Sequence, residues 1–103
     1  MDETKFLSVL GLCRKAGKIQ LGADNVCDAV RSGRSRLVVL ASDASDNTKK
    51  KITNCTAYYK KRLFVCETGK GKLGACLGRD GEVSCAAVCD DSFRTLLEKY
   101  IDR

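Results

Sequence analysis

The sequence predicts an α/β protein, a three-layer α/β/α sandwich built on a four-stranded mixed sheet with helices on both faces. Three observations carry that expectation. Apolar residues recur at helical spacing in five separate stretches, and short apolar runs rich in Val, Leu, Ala and Cys fall between them. Glycines or polar clusters mark most of the junctions. Helical and strand patterns that alternate in this way point to helices packed on a largely buried sheet.

Residues 4–14 read as the first helix, with Phe6, Leu10 and Cys13 on one face and Gly17 just beyond its end. A short strand follows at Lys18–Leu21. Gly22 then breaks the chain before a helix over 24–32, whose stripe is Val26, Ala29 and Val30 and whose C-cap is Gly33. Leu37-Val38-Val39-Leu40-Ala41 is continuously apolar, as in a strand covered on both faces. The polar segment Ser42–Asn47 supplies capping side chains for a third helix, roughly 47–59, with Ile52, Cys55 and Tyr59 expected inward. Leu63–Cys66 reads as a second buried strand. Thr68 is placed to cap a short helix over 70–77 that Gly78 ends. After the loop Arg79-Asp80-Gly81-Glu82 comes a strand over Val83–Cys89. Asp90 and Asp91 precede the last helix, where Phe93, Leu96, Leu97, Tyr100 and Ile101 follow the i, i+3, i+4, i+7, i+8 pattern.

The 103 residues suit one domain, 1–103, and show no repeat, linker or low-complexity stretch. Nineteen Lys and Arg against 13 acids give a formal charge of +6, and the pI is about 9.0. Such a balance favours polyanionic partners; the alternative is a surplus that serves solubility. With no Trp, three Tyr and three Phe, aromatic base-stacking platforms are not expected. The seven cysteines have no C-x-x-C pair, and there is no histidine to complete a zinc site. Most fall at apolar-periodic positions and read as small buried hydrophobes, so no metal or other cofactor is expected. Reduced thiols, a polar first segment and the absence of a long apolar stretch predict a cytoplasmic protein with no membrane partner.

Catalysis is not expected. Without histidine the common Ser–His and Cys–His pairs cannot form, and the acids are better explained as helix caps or solvated faces. Gly69, Gly71 and Gly74 with Lys70 and Lys72 lack the G-x-x-x-x-G-K-[ST] spacing of a phosphate loop, and read as a turn and a closely packed helix.

Two segments gather basic residues and glycines at helix ends: Arg14-Lys15-Ala16-Gly17-Lys18 leading to Gly22-Ala23-Asp24-Asn25-Val26, and Lys70-Gly71-Lys72-Leu73-Gly74 leading to Gly78 and Val83. A helix N-terminus offers unpaired N–H groups and partial positive charge to phosphates. Neighbouring lysines add neutralising charge, and first-turn amides can hydrogen-bond base edges. The competing explanation is a tight turn at Gly22 with Asp24 and Asn25 as first-turn polar residues. Lys49-Lys50-Lys51 is either a second basic contact or a solvated face.

These residues resemble, over nearly the whole chain, the L-seven-Ae, L-thirty-e and S-twelve-e superfamily of ribosomal and kink-turn-binding proteins, and most closely its small bacterial branch, the YlxQ type. Gly22-Ala23-Asp24-Asn25-Val26, with Ala29, Val30 and Gly33, matches the family's G-T-N-E-V…A-V…G. Leu37 to Ser45 matches its central strand and following turn, and Leu73-Gly74, Gly78, Glu82-Val83 and Ala86-Ala87-Val88 complete the order. The resemblance implies a structured RNA as partner, either rRNA or a kink-turn-like stem, and association with ribosomes. It implies that Gly22, Ala23, Asp24 and Asn25 face sheared G·A pairs. Lys18 and Lys70 would meet phosphate, with Lys15 in the same positive RNA-binding patch, while Arg79, Glu82 and Val83 belong to the outer loop.

Four positions depart from the family's pattern. Ala23, Asp24, Asn25 and Asp28 stand for Thr, Asn, Glu and Lys. A carboxylate at Asp24 cannot donate a hydrogen bond and repels phosphate. Asn25 can still accept one through its amide oxygen, though without charge assistance. The outer loop is polar where kink-turn binders often place an apolar wedge. The expectation is a monomeric RNA-binding protein. The alternative is an adaptor for other proteins on the same scaffold, which the acids at 24 and 28 would suit.

Overall fold

The computed structural model describes residues 1–101. Five helices and four strands follow in order: α1 (Glu3–Lys15), β1 (Ile19–Leu21), α2 (Ala23–Arg31), β2 (Leu37–Ala41), α3 (Asp46–Tyr58), β3 (Leu63–Cys66), α4 (Lys70–Cys76), β4 (Cys85–Val88) and α5 (Asp91–Ile101). The strands form one mixed sheet in the order β1-β4-β2-β3. β4 runs antiparallel to both β1 and β2, with Leu21 opposite Ala86 and Leu40 opposite Cys85, and β3 runs parallel to β2 through the α3 crossover.

Alternation along β2 sorts the layers. Leu37, Val39 and Ala41 join Phe6, Leu10 and Cys13 of α1, Leu73 and Leu77 of α4 and Leu97 of α5 in one core. Val38 and Leu40 point the other way, onto Val26, Ala29 and Val30 of α2 and Ile52 of α3. The five residues of β2 are buried on both faces, as a continuous apolar run requires. Phe6 is fully buried and meets Phe64 edge to face at 5.5 Å, a contact worth about 1 kcal/mol beyond its burial.

Helix ends follow one rule. α1, α2, α3 and α4 each close in a Schellman motif: the C′ amides of Gly17, Gly33, Lys60 and Gly78 bond back to Arg14, Val30, Ala57 and Ala75, and the C″ amides of Lys18, Arg34, Lys61 and Arg79 to Cys13, Ala29, Thr56 and Gly74. A cation at each C″ position also suits the negative end of the helix dipole. The motif needs a left-handed residue at C′; glycine supplies it three times, and Lys60 adopts φ 55° in the fourth.

The structure corrects several expectations. β3 is an edge strand with Val65 half exposed, not a buried one; the length of an apolar run does not reveal an open flank. Tyr59 caps α3 and lies outward, while Thr56 takes the inward place by giving its hydroxyl hydrogen to the Ile52 carbonyl. Thr68 does not cap α4; it is buried and donates to Glu3 Oε2 at 2.8 Å. Asp43, from the turn after β2, accepts the Lys70 N–H at 2.8 Å and caps α4 from across the fold. Regular pairing in β4 is confined to Cys85–Val88, and Leu96 is exposed.

Candidate nucleic-acid interface

The corner at Gly22 begins with backbone geometry. Gly22 has φ 90° and ψ 152°, a conformation that a side chain would strain. Its N–H bonds to the Cys85 carbonyl at the start of β4, and its carbonyl starts α2 by accepting the Val26 N–H at 2.9 Å. Glycine has no side chain to cap the helix, so the first N–H groups of α2 stay open.

The other helices differ. Asp2 caps α1, Ser45 caps α3, Asp43 caps α4 and Asp90 Oδ2 accepts the Phe93 N–H of α5 at 3.0 Å. Among the described residues, α2 is the helix whose N-terminus is left without a side-chain cap.

That N-terminus adjoins a polar groove of about 450 Å³ that runs along β1, with Arg14, Gln20, Asn25 and Arg79 on its walls and Gly17, Ile19 and Leu21 beneath. Asn25 is fixed by its own hydrogen bond, Nδ2 donating to the Leu21 carbonyl at 2.9 Å. Because a carbonyl only accepts, the Asn25 amide must turn its nitrogen inward, which leaves Oδ1 facing out as an acceptor. Arg14 lies in the last turn of α1 and Arg79 follows α4, so two Schellman turns deliver the cationic walls.

The acids near the corner are each matched by a cation. Asp24 accepts a hydrogen bond from Lys51 of α3, and that bond, reinforced by the lysine's charge, holds the Asp24 carboxyl below the usual carboxylate range. Asp28 pairs with Arg31 one turn on at 3.0 Å. The two acids therefore do not stand as an uncompensated negative patch, and the observation that most favoured a protein-binding adaptor loses its force.

Of the sequence-predicted residues, Asn25 and Arg79 line the groove. Gly22, Ala23 and Asp24 form the helix start beside it, and Lys18 is exposed at the entry to β1, next to the lining residues Gly17 and Ile19. Lys15 faces a different hollow of about 750 Å³ between α1 and α4, floored by Leu7, Leu12 and Leu77. Lys70 and Glu82 approach to 3.8 Å and link the start of α4 to the outer loop. Val83 is a core residue, 3% exposed, and enters that loop only through its backbone, its N–H bonding to the Lys70 carbonyl at 3.0 Å. Sequence reasoning missed Gln20 as a wall, and it missed Lys51 as the counter-charge of Asp24; no local pattern signals a pair 27 positions apart.

The thiols take no part in this surface. Burial pushes Cys13 up to about 12 and Cys85 up to about 11, so both stay protonated near neutrality. No group of three or more Cys, Asp or Glu side chains among the described residues is placed to hold a metal ion.

Comparison with known proteins places the chain in a family. The family model described as "Ribosomal protein L7Ae/L30e/S12e/Gadd45 family" matches residues 4–98. The RNA-binding protein YlxQ of Bacillus subtilis is 35% identical over 102 residues, 99% of this chain and 100% of that one. The large ribosomal subunit protein eL30 of Dictyostelium discoideum is 31% identical over 81% of this chain and 74% of its own. Among solved structures, a protein of unknown function from Bacillus halodurans superposes with a TM-score of 0.88 at 34% identity, covering 96% of this chain and 98% of that one. The Giardia lamblia 15.5kD RNA binding protein superposes with a TM-score of 0.78 at 17% identity, over 97% and 84% of the two chains, and so shares the fold.

Proposed function

The chain belongs to the ribosomal protein L7Ae/L30e/S12e/Gadd45 family, and from that membership we propose that it is an RNA-binding, ribosome-associated protein that recognises a kink-turn or related structured stem without catalysing a reaction. The observation that carries the proposal is the uncapped N-terminus of α2 opening beside a groove walled by Arg14, Gln20, Asn25 and Arg79.

The backbone of a stem would lie across the open amides of residues 23–25, where the helix dipole favours phosphate. Arg14 and Arg79 would neutralise flanking phosphates, and Lys18 and Lys70 those farther along. Asn25 Oδ1, presented outward by the bond to Leu21, would accept from the exocyclic amine of a guanine in a G·A pair. We propose further that residues 1–103 act as one domain and as a monomer in the cytoplasm. No helix among the described residues is long and apolar enough to cross a membrane.

The test is crosslinking in cells followed by sequencing of the attached RNA. Reads enriched in rRNA or in stems with adjacent G·A pairs are expected; recovery of no RNA above background overturns the proposal.

A further inference from the structure

We propose that the C-terminal end of α3, Tyr58 to Lys61, is a second RNA-contact surface that takes an unpaired nucleotide of a single-stranded segment. The surface lies at the other end of the sheet from the Gly22 corner. Gly22 docks on Cys85, level with Leu40 at the end where β2 leaves the sheet. The Arg62 carbonyl accepts the Val38 N–H near the end where β2 enters.

Three observations combine there. Tyr58 is 79% exposed and Tyr59 39%, the most and least accessible of a pair that meet edge to face with ring centroids 4.8 Å apart. The edge contact fixes Tyr58 while leaving a ring face open, and an open face is what a stacking base uses. Second, Lys60, Lys61 and Arg62 follow the rings directly, and the sequence has no acid between Asp46 and Glu67; Lys49, Lys50 and Lys51 stand at the other end of α3. Lys51 and Arg62 are matched by Asp24 and Glu98, but Lys60 and Lys61 have no acidic partner among the described residues. Their charge is complementary to phosphate.

Third, the chain keeps a lysine where the fold asks for glycine. Lys60 stands at φ 55°, the one non-glycine with positive φ among the described residues, while the equivalent turns after α1, α2 and α4 use Gly17, Gly33 and Gly78. A side chain held in a disfavoured backbone region points to function. The same turn fixes the backbone of Lys60 and Lys61, next in sequence after the two tyrosines, through the bonds to Ala57 and Thr56. Cation, ring and rigid turn together suit one phosphate and one splayed base, and the surface shares only its class of ligand with the groove at Gly22.

The full chain is titrated by fluorescence anisotropy with two probes, a labelled single strand of about 12 nucleotides and a labelled stem with tandem G·A pairs. Tyr58→Ala is expected to weaken the single strand by about fivefold or more, the lower end of one stacked base, and to leave the stem unchanged. Tyr58→Phe keeps the ring and retains binding, and Lys60→Gln with Lys61→Gln lowers the salt dependence for the single strand alone. Asn25→Ala does the reverse, weakening the stem only. A wild-type protein that ignores the single strand overturns the proposal, as does Tyr58→Ala binding like wild type or weakening both probes equally. Loss of the stem effect in Asn25→Ala with the Tyr58 effect intact would instead strike the groove and spare this surface.

Discussion

Gly74→Ala separates the demands of helix propensity from those of packing. Gly74 is buried in α4, and a Cβ built there stands 1.8 Å from the Gly81 carbonyl oxygen and 3.0 Å from its carbon. The obstruction is backbone, so the loop over 79–82 must retreat by about 1.5 Å to restore ordinary contact. That movement pulls on the adjacent bond from the Val83 N–H to the Lys70 carbonyl. Overpacking of this kind destabilises by about 1–3 kcal/mol, and loss of the bond adds about 1. Against this, Ala is the better helix former by about 1 kcal/mol. The net expectation is a loss near 2 kcal/mol, or a fall in Tm of roughly 8–16 °C for a chain of this size. Gly71→Ala is the internal control: it lies in the same helix, exposed, with nothing within 4 Å of the new Cβ, and gains about 0.5–1 kcal/mol. Urea denaturation of the two variants and wild type decides the matter. Equal or stabilising effects at both positions refute the close approach of α4 and the outer loop, and with it the placement of Arg79.

Asp24→Asn removes the partner of Lys51 and one negative charge beside α2, so RNA affinity should rise and the slope of log affinity against log salt steepen by about one unit; an unchanged titration means the pair lies outside the interface. Lys18→Ala should lower that slope by about one unit and weaken all RNAs alike, since a phosphate contact carries no sequence information; an unchanged slope removes Lys18 from the surface. Lys60→Gly relieves the left-handed strain at the end of α3 and should raise stability by about 1 kcal/mol, read as a higher urea midpoint, where a lower midpoint contradicts the assigned turn. For the thiols, a raised pKa means that the reactive thiolate is present only above the folded value. Cys13 and Cys85, at about 12 and about 11, should therefore resist alkylation at pH 8 in the native protein and react once it is unfolded. Rapid native labelling at either position contradicts their burial.

What the sequence disclosed and what it hid follow from the range of the forces involved. The run Leu37–Ala41 announces a central strand because every residue is apolar, and Gly17, Gly33 and Gly78 announce helix ends because a left-handed residue is needed there. Lys60 performs the same task without the signal, so the end of α3 and the outward turn of Tyr59 were obscured. β3 carries the same kind of apolar run as β2 yet lies at the sheet edge; only the strand order separates them. At the site, Gly22 and Asn25 were legible as a helix start. Arg14 stood in a basic run and Arg79 in the outer loop that the family resemblance implied, but their meeting with Gln20 was not legible. Arg14, Gln20 and Arg79 converge on Asn25 through tertiary packing, Asp43 caps a helix 27 residues away, and Lys51 neutralises Asp24 over the same separation. Local pattern reports on backbone conformation within a turn or two, whereas a groove between elements exists only after they pack.

The proposed RNA discrimination rests on the outward-facing oxygen of Asn25, held by the bond to Leu21 beside open helix amides. The direct measurement compares the affinity of wild type and Asn25→Ala for a stem with tandem G·A pairs and for the same stem with Watson–Crick pairs in their place. Wild type should prefer the G·A stem, and Asn25→Ala should lose about 1–3 kcal/mol of that preference while binding the paired stem as before. Equal affinity of wild type for both stems, or an equal loss on both in the variant, would contradict the account.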